Sequence, residues 1–139
     1  MVDVILKVKP IKANRYAFRT LQHSRAAWQL ISGSHTWCPP TDVYETENDI
    51  VVRMEIAGMR HGELSVTLDE DLLLIQGTRP SPNREGACHQ LEIGYGEFQS
   101  GIRLRMPVVA EEAQASYQDG FLELRLPKKK AHQIEVKEQ

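Results

Sequence analysis

Side chains that could perform catalysis or bind a metal are few and scattered in this sequence. The two cysteines, Cys38 and Cys88, lack the C-x-x-C spacing of metal and redox sites, and the five histidines form no i, i+4 helical pair. The chain also has no G-x-S-x-G nucleophile turn, no glycine-rich phosphate loop and no H-E-x-x-H zinc helix. We therefore expect two free thiols, no catalytic residue, no metal site, no cofactor and no enzyme activity.

Two runs of like charge have simpler explanations than ligand binding. The acidic run Asp69-Glu70-Asp71 lacks the glycine and the spaced carboxylates of a calcium loop, so it indicates a solvated turn between strands. The basic run at residues 128–130 is typical of a segment that keeps a tail solvated and protects a sheet edge.

The overall charge and the hydrophobic pattern argue against two classes of partner. A net charge of -2 and a pI of about 6.2 lack the basic excess that phosphate recognition usually shows. The sequence contains neither a secretory signal nor an apolar run of roughly 20 residues, the length that spans a bilayer. We expect a soluble, cytoplasmic protein that binds no nucleic acid and no membrane.

An apolar pair in the polar tail "KKKAHQIEVKEQ" is the most unusual feature of the chain. Ile134 and Val136 are two residues apart, so their side chains point the same way if the segment is extended. The tail has no core of its own to fill. The pair predicts two anchors that bind a groove, and the edge of a β-sheet can accept such an added strand.

The first region of the chain is an N-terminal arm, residues 1–38. Its first apolar residues alternate at Val2, Val4, Leu6 and Val8. This alternation indicates a short strand or an extended arm. An amphipathic helix is predicted further along, and its apolar face consists of Phe18, Leu21, Trp28 and Ile31. Periodicity does not decide whether that helix packs on its own domain or on another subunit.

Residues 39–127 carry the pattern of an all-β domain. The length of 139 residues and a hydrophobic content of 41% predict one core. Period-two alternation recurs in "NDIVVRMEIAG" and "ELSVTL", and further strands are indicated by "LLLIQGTR", "HQLEIGYGEF" and "FLELRLP". Asp119-Gly120 provides the two-residue turn of a hairpin, and no helix of three turns is predicted in this region. We therefore expect a β-sandwich, followed by an extended tail at residues 128–139.

Five stretches give the sequence a resemblance to a known family: "PPTDVYETENDIVVRMEIAGM", "LLLIQGTR", "EIGYGEF", "ASYQDGFLELRLPK" and the terminal "IEV". From Pro40 to Val136 the chain resembles the small heat-shock proteins, which share the α-crystallin domain. The A-x-x-x-x-G-x-L element falls on Ala115, Gly120 and Leu122. The resemblance implies an immunoglobulin-like β-sandwich and an ATP-independent holdase chaperone that keeps unfolding proteins from aggregating.

The resemblance also implies partners and sites. Dimers would form by exchange of a strand that consists of Gln90, Leu91, Glu92, Ile93, Gly94 and Tyr95. The tail of a neighbouring dimer would bind a groove that is bordered by Leu64, Val66, Leu68, Ala115 and Tyr117. Unfolding client proteins would bind the arm through Phe18, Leu21, Trp28 and Ile31. The expected partners are therefore other copies of the chain, as dimers and higher oligomers, and unfolded or partly folded clients.

One departure from the family pattern concerns an arginine at the dimer contact. In "FQSGIRLRMP", Ile102 occupies the position where the family usually has that arginine, and Arg103 and Arg105 are nearby. The sequence leaves open whether Arg103, Arg105 or neither of them takes the role. An alternative function is a CS-domain-like sandwich adaptor that binds one folded partner, although such an adaptor would have no need for the I-x-V tail.

Overall fold

The structure is a computed structural model that describes residues 3–8, 36–59, 63–131 and 134–139. Its strands are β1 (Asp3–Val8), β2 (Thr41–Glu45), β3 (Asp49–Glu55), β4 (Glu63–Asp69), β5 (Leu72–Arg79), β6 (Gly96–Arg103), β7 (Gln114–Gln118) and β8 (Phe121–Pro127). A short 3₁₀ helix, Ala110–Glu112, precedes β7. The strands form two four-stranded sheets with the orders β1-β4-β5-β6 and β2-β3-β8-β7. The predicted all-β sandwich is confirmed.

The core lies between the two sheets and is built from the alternating apolar residues. In one sheet, Met54 of β3 is the register partner of Leu122 of β8, and both side chains are fully buried. In the other sheet, Val66 of β4 is paired with Ile75 of β5, and both are also buried. Because strand side chains alternate between faces, this pattern puts one face of each sheet in the core.

The hairpin between β7 and β8 turns at the two residues that the sequence predicts. Asp119 and Gly120 have φ angles of 52° and 82°, which are the positive values that a tight two-residue turn demands. A Cβ atom at Gly120 would also lie 3.1 Å from the Cβ of Ala57. The position therefore favours glycine both for its positive φ and for the close approach of Ala57. The acidic turn between β4 and β5 likewise contains a positive φ, 54° at Glu70.

The alternating residues at the N-terminus lie in strand β1, which belongs to one sheet of the sandwich. β1 runs parallel to β4, with Val4, Leu6 and Val8 at the register positions of Leu64, Val66 and Leu68. The amphipathic helix predicted for the rest of the arm lies outside the described residues.

The connection between β5 and β6, residues 80–95, contains no strand or helix. Every residue from 80 to 93 is exposed. A connection of this length without secondary structure is uncommon in a compact domain, and long loops of this kind are often functional.

Candidate assembly surfaces

A cluster around Arg79 holds the base of the long connection. The Arg79 Nε atom donates a hydrogen bond to the carbonyl oxygen of Gly94 at 2.7 Å, and its terminal nitrogens donate to the same oxygen and to that of Ala57. The guanidinium also stacks on Trp37, at 4.2 Å from the ring centroid, and lies 5.3 Å from the centroid of Tyr95. The last residues of the connection are therefore tied to the end of β5.

Trp37 connects this cluster to strand β6. Its backbone N–H donates to Glu97 at 3.2 Å, its carbonyl accepts from Gln99 at 3.1 Å, and its ring packs on the buried Phe98. A Cβ atom at Gly94 would lie only 2.5 Å from the Trp37 ring, which is closer than side-chain atoms tolerate. The close contact thus depends on glycine at position 94.

The tip of the connection presents two apolar side chains to solvent. Leu91 is 63% exposed and Ile93 is 65% exposed, with the exposed Glu92 between them. Of the six residues predicted to form the exchanged strand, Gly94 and Tyr95 are half-buried at the anchored base, and the other four are exposed. None of the six lies in a strand of its own chain.

A strand edge with apolar residues lies on β2. This strand pairs with β3 along one side and is the outermost strand of its sheet. Val43 and Tyr44 on it are both nearly half exposed. Beside this edge is a cleft of about 420 Å³, which is lined by Val43, Tyr44, Glu45, Ile50 and residues 102–106.

Both arginines that the sequence left open line this cleft, but they differ in burial. Arg103 is half-buried and forms an ion pair with Asp71 at 3.6 Å, whereas Arg105 is exposed. The Nε atom of Arg103 is buried without a hydrogen-bond partner among the residues that the structure describes. A buried N–H without an acceptor is costly, so this atom distinguishes Arg103 from the exposed Arg105. Ile102 is half-buried and packs against the core.

The residues predicted to border the tail groove lie on one side of the sandwich. Leu64, Val66 and Leu68 of β4 are buried in the core, and Ala115 and Tyr117 of β7 are half-buried against it. β1 pairs with the outer edge of β4, and Cα atoms of β1 come within 8 Å of Cα atoms of β7. The opening between β4 and β7 is therefore occupied by β1.

The tail leaves the domain after a well-defined anchor. Lys128 forms an ion pair with Glu45 at 3.1 Å and donates to the carbonyl of Thr46 at 2.8 Å, and the Lys129 N–H donates to Pro107. Beyond this point Ile134 and Val136 lie outside any strand, and each is 87% exposed. The start of the basic run thus fixes where the tail emerges, which its charge pattern alone did not indicate.

Among the residues that the structure describes, no group of three His, Cys, Asp or Glu side chains could hold a metal ion. None of the helices in this part of the chain is long and apolar enough to cross a membrane. Cys38 and Cys88 are exposed free thiols. The proposed client-binding residues Phe18, Leu21, Trp28 and Ile31 lie outside the described residues and remain a prediction.

Sequence reasoning missed Arg79, Trp37, Val43 and Tyr44. The contacts of Arg79 and Trp37 join positions far apart in the chain, and no local pattern signals them. The sequence signal for β2 consists of two adjacent strand-forming residues, Val43 and Tyr44. It lacks the alternation of apolar and polar residues that indicates a half-buried strand.

Comparison with known proteins identifies the family. The sequence pattern described as "Hsp20/alpha crystallin family" matches residues 42–139. The chain belongs to this family. Among family members it is 30% identical over 104 residues to small heat shock protein C2 of Rickettsia felis, covering 71% of this chain and 68% of that protein. It is also 30% identical over 101 residues to a "Probable 15 kDa heat shock protein" of Leptospira interrogans, covering 71% and 78%.

A solved structure of a relative has the same sandwich. The crystal structure of hspA from Xanthomonas axonopodis aligns with a TM-score of 0.61 and 28% identity, covering 67% of this chain and 95% of that chain. Family membership supports a chaperone role, as the resemblance implied.

Proposed function

We propose that the protein is an ATP-independent holdase of the cytoplasm, which binds unfolding proteins and assembles from dimers into larger oligomers. The observation that carries this proposal is the pair of exposed apolar segments, Leu91 with Ile93 and Ile134 with Val136. Single exposed apolar residues are ordinary, but pairs with strand spacing are suited to bind as added strands.

The dimer forms when the long connection of one copy adds to β2 of another. Leu91 and Ile93 enter the cleft beside β2, where Val43 and Tyr44 are exposed. Charge supports this placement, since Glu92 lies between the two apolar residues of the connection, and Arg103 and Arg105 line the cleft. The buried Nε of Arg103 gains an acceptor in the same step.

The larger oligomer forms when tails bind the groove between β4 and β7 of neighbouring dimers. The tail emerges at the Lys128 anchor with both apolar residues exposed, so it is free to reach another copy. Tail and edge strand interact through backbone hydrogen bonds and the apolar anchors. Each such contact is weak, and many of them together hold the particle.

Unfolding clients bind apolar surface that becomes available when oligomers exchange with smaller species. The predicted helical face of Phe18, Leu21, Trp28 and Ile31 is the main candidate for this surface. No step of this mechanism uses nucleotide.

The test is light scattering from a heated model client, mixed with the full chain in the absence of nucleotide. We expect scattering to fall in proportion to the added protein, and added ATP to change nothing. If the protein does not reduce the light scattering of any unfolding client, yet forms a stable complex with one folded protein, the adaptor alternative is supported instead.

A further inference from the structure

Strand β1 lies where the tail of another copy is proposed to bind. β4 pairs with β5 along one edge and with β1 along the other, and β1 covers every position from Glu63 to Leu68. A strand has only two edges, so a tail cannot form backbone hydrogen bonds with β4 while β1 is paired there. β1 also lies close to β7, the other border of the groove.

The sequences of the two segments fit one site. β1 carries apolar residues at two-residue spacing, and so does the tail at Ile134 and Val136. In β1 these residues, Val4 and Leu6, stand at the register positions of the buried Leu64 and Val66. A strand that matches this pattern can pair at the same edge in place of the other.

We infer that β1 is a built-in competitor that closes the groove to the tails of other copies, so that assembly requires β1 to leave β4. This inference rests on the proposed binding of the tail to that groove. A segment tethered to its own domain meets its site at an effective concentration of up to about millimolar, whereas the tail of a separate copy is no more concentrated than the protein itself. In dilute solution β1 therefore wins, and clustered tails displace it when several act together.

The test locks β1 in place in the full-length chain. Ile5 and Ser65 are register partners in the neighbouring strands β1 and β4. Neighbouring strands are about 5 Å apart, which is within reach of a disulfide. The variant therefore carries Ile5→Cys and Ser65→Cys, with Cys38→Ser and Cys88→Ser to prevent other pairings. Oxidation fixes β1 on β4, and reduction of the same sample releases it, so each preparation serves as its own folding control.

The probe is a fluorescent peptide with the sequence of residues 128–139, and its binding is measured by anisotropy. The protein also carries Ile134→Ala and Val136→Ala, so that its own tails do not compete. A matched control has its cysteine pair at Arg53 and Glu123, which are register partners of β3 and β8 in the other sheet. We expect the oxidised lock to bind the peptide at least about tenfold more weakly than the reduced form. The control pair should bind equally in both states.

A second pair of variants tests the same point without a disulfide. Leu6→Gln introduces a polar residue at the register position of the buried Val66 and should weaken β1 pairing, so the peptide should bind more tightly. Ile5→Gln, opposite the half-buried Ser65, makes the same change of type and should have the smaller effect.

The outcomes separate the two ideas. If the peptide binds the oxidised and reduced locks equally well, β1 is not a competitor, while tail binding stands. If the peptide binds neither form of the lock nor the Leu6→Gln protein, the tail does not use this groove, and the proposed assembly fails together with the inference.

Discussion

Arg79 shows how one side chain can fix the base of a long loop. Its planar guanidinium donates to the carbonyls of Gly94 and Ala57 while it stacks on Trp37. A lysine keeps the charge but has no planar fork that can make these bonds and stack together. The position therefore depends on the shape of arginine as well as on its charge.

We predict that Arg79→Lys lowers the free energy of unfolding by about 1.5 to 3 kcal/mol, the range measured for hydrogen bonds to charged groups. Urea denaturation followed by circular dichroism measures this change. Arg84→Lys is the matched control, because Arg84 is exposed and has a stacking contact with Tyr95, at 5.0 Å from the ring centroid. Equal effects of the two substitutions would contradict the role assigned to Arg79.

Gly94 gives a second prediction at the scale of the residue. A Cβ atom there would lie 2.5 Å from the ring of Trp37, so the ring or the backbone must move. We expect Gly94→Ala to destabilise the domain by about 1 to 3 kcal/mol, as overpacking of a well-packed site does. Gln90→Ala, in the exposed part of the same connection, should stay within about 0.5 kcal/mol of the parent.

At the scale of the element, the long connection and the edge of β2 are the two halves of the proposed dimer contact. The connection ends at the Arg79 cluster, so its tip projects from a fixed base. Burial of a leucine or isoleucine side chain stabilises by roughly 1.5 to 3 kcal/mol. Removing the side chains of Leu91 and Ile93 from each of the two symmetric contacts should therefore abolish the dimer at micromolar concentration.

The matching experiment replaces the apolar pair in the full chain with Leu91→Ser and Ile93→Ser. Sedimentation should then show monomers in place of dimers, with an unchanged β-type circular-dichroism spectrum. His89→Ser with Gln90→Ser makes equally polar changes beside the pair and should leave the dimer intact. A Leu91→Ser, Ile93→Ser protein that stays dimeric at micromolar concentration would rule out the strand-exchange contact.

The elements themselves were largely predictable from the sequence, while their distant pairings were not. Period-two alternation identifies β3 and β4, and the dipeptide Asp119-Gly120 fixes the β7–β8 hairpin, because these signals are local. Alternation also predicted a strand or an extended arm at the N-terminus, but nothing in those residues specifies β4 as the partner of β1. The anchor of Gly94 on Arg79 is invisible for the same reason, since it depends on how the chain packs.

At the scale of the whole molecule, the assembly is proposed to depend on many weak contacts. Burying Ile134 and Val136 gains roughly 1.5 to 3 kcal/mol each, and ordering about four backbone residues costs roughly 1 to 2 kcal/mol apiece. One tail in one groove is therefore close to balance. Competition from β1 weakens it further, so the particle should dissociate readily on dilution and release dimers.

The role of the tail in assembly is tested most directly by sedimentation of a full chain with Ile134→Ala and Val136→Ala across a dilution series. We expect this protein to form dimers, with the sandwich still folded, where the parent forms larger particles. Glu135→Ala with Lys137→Ala alters the neighbouring polar positions and should leave the parent mass unchanged. If the Ile134→Ala, Val136→Ala protein has the same mass as the parent at every concentration, the tail is not the link between dimers.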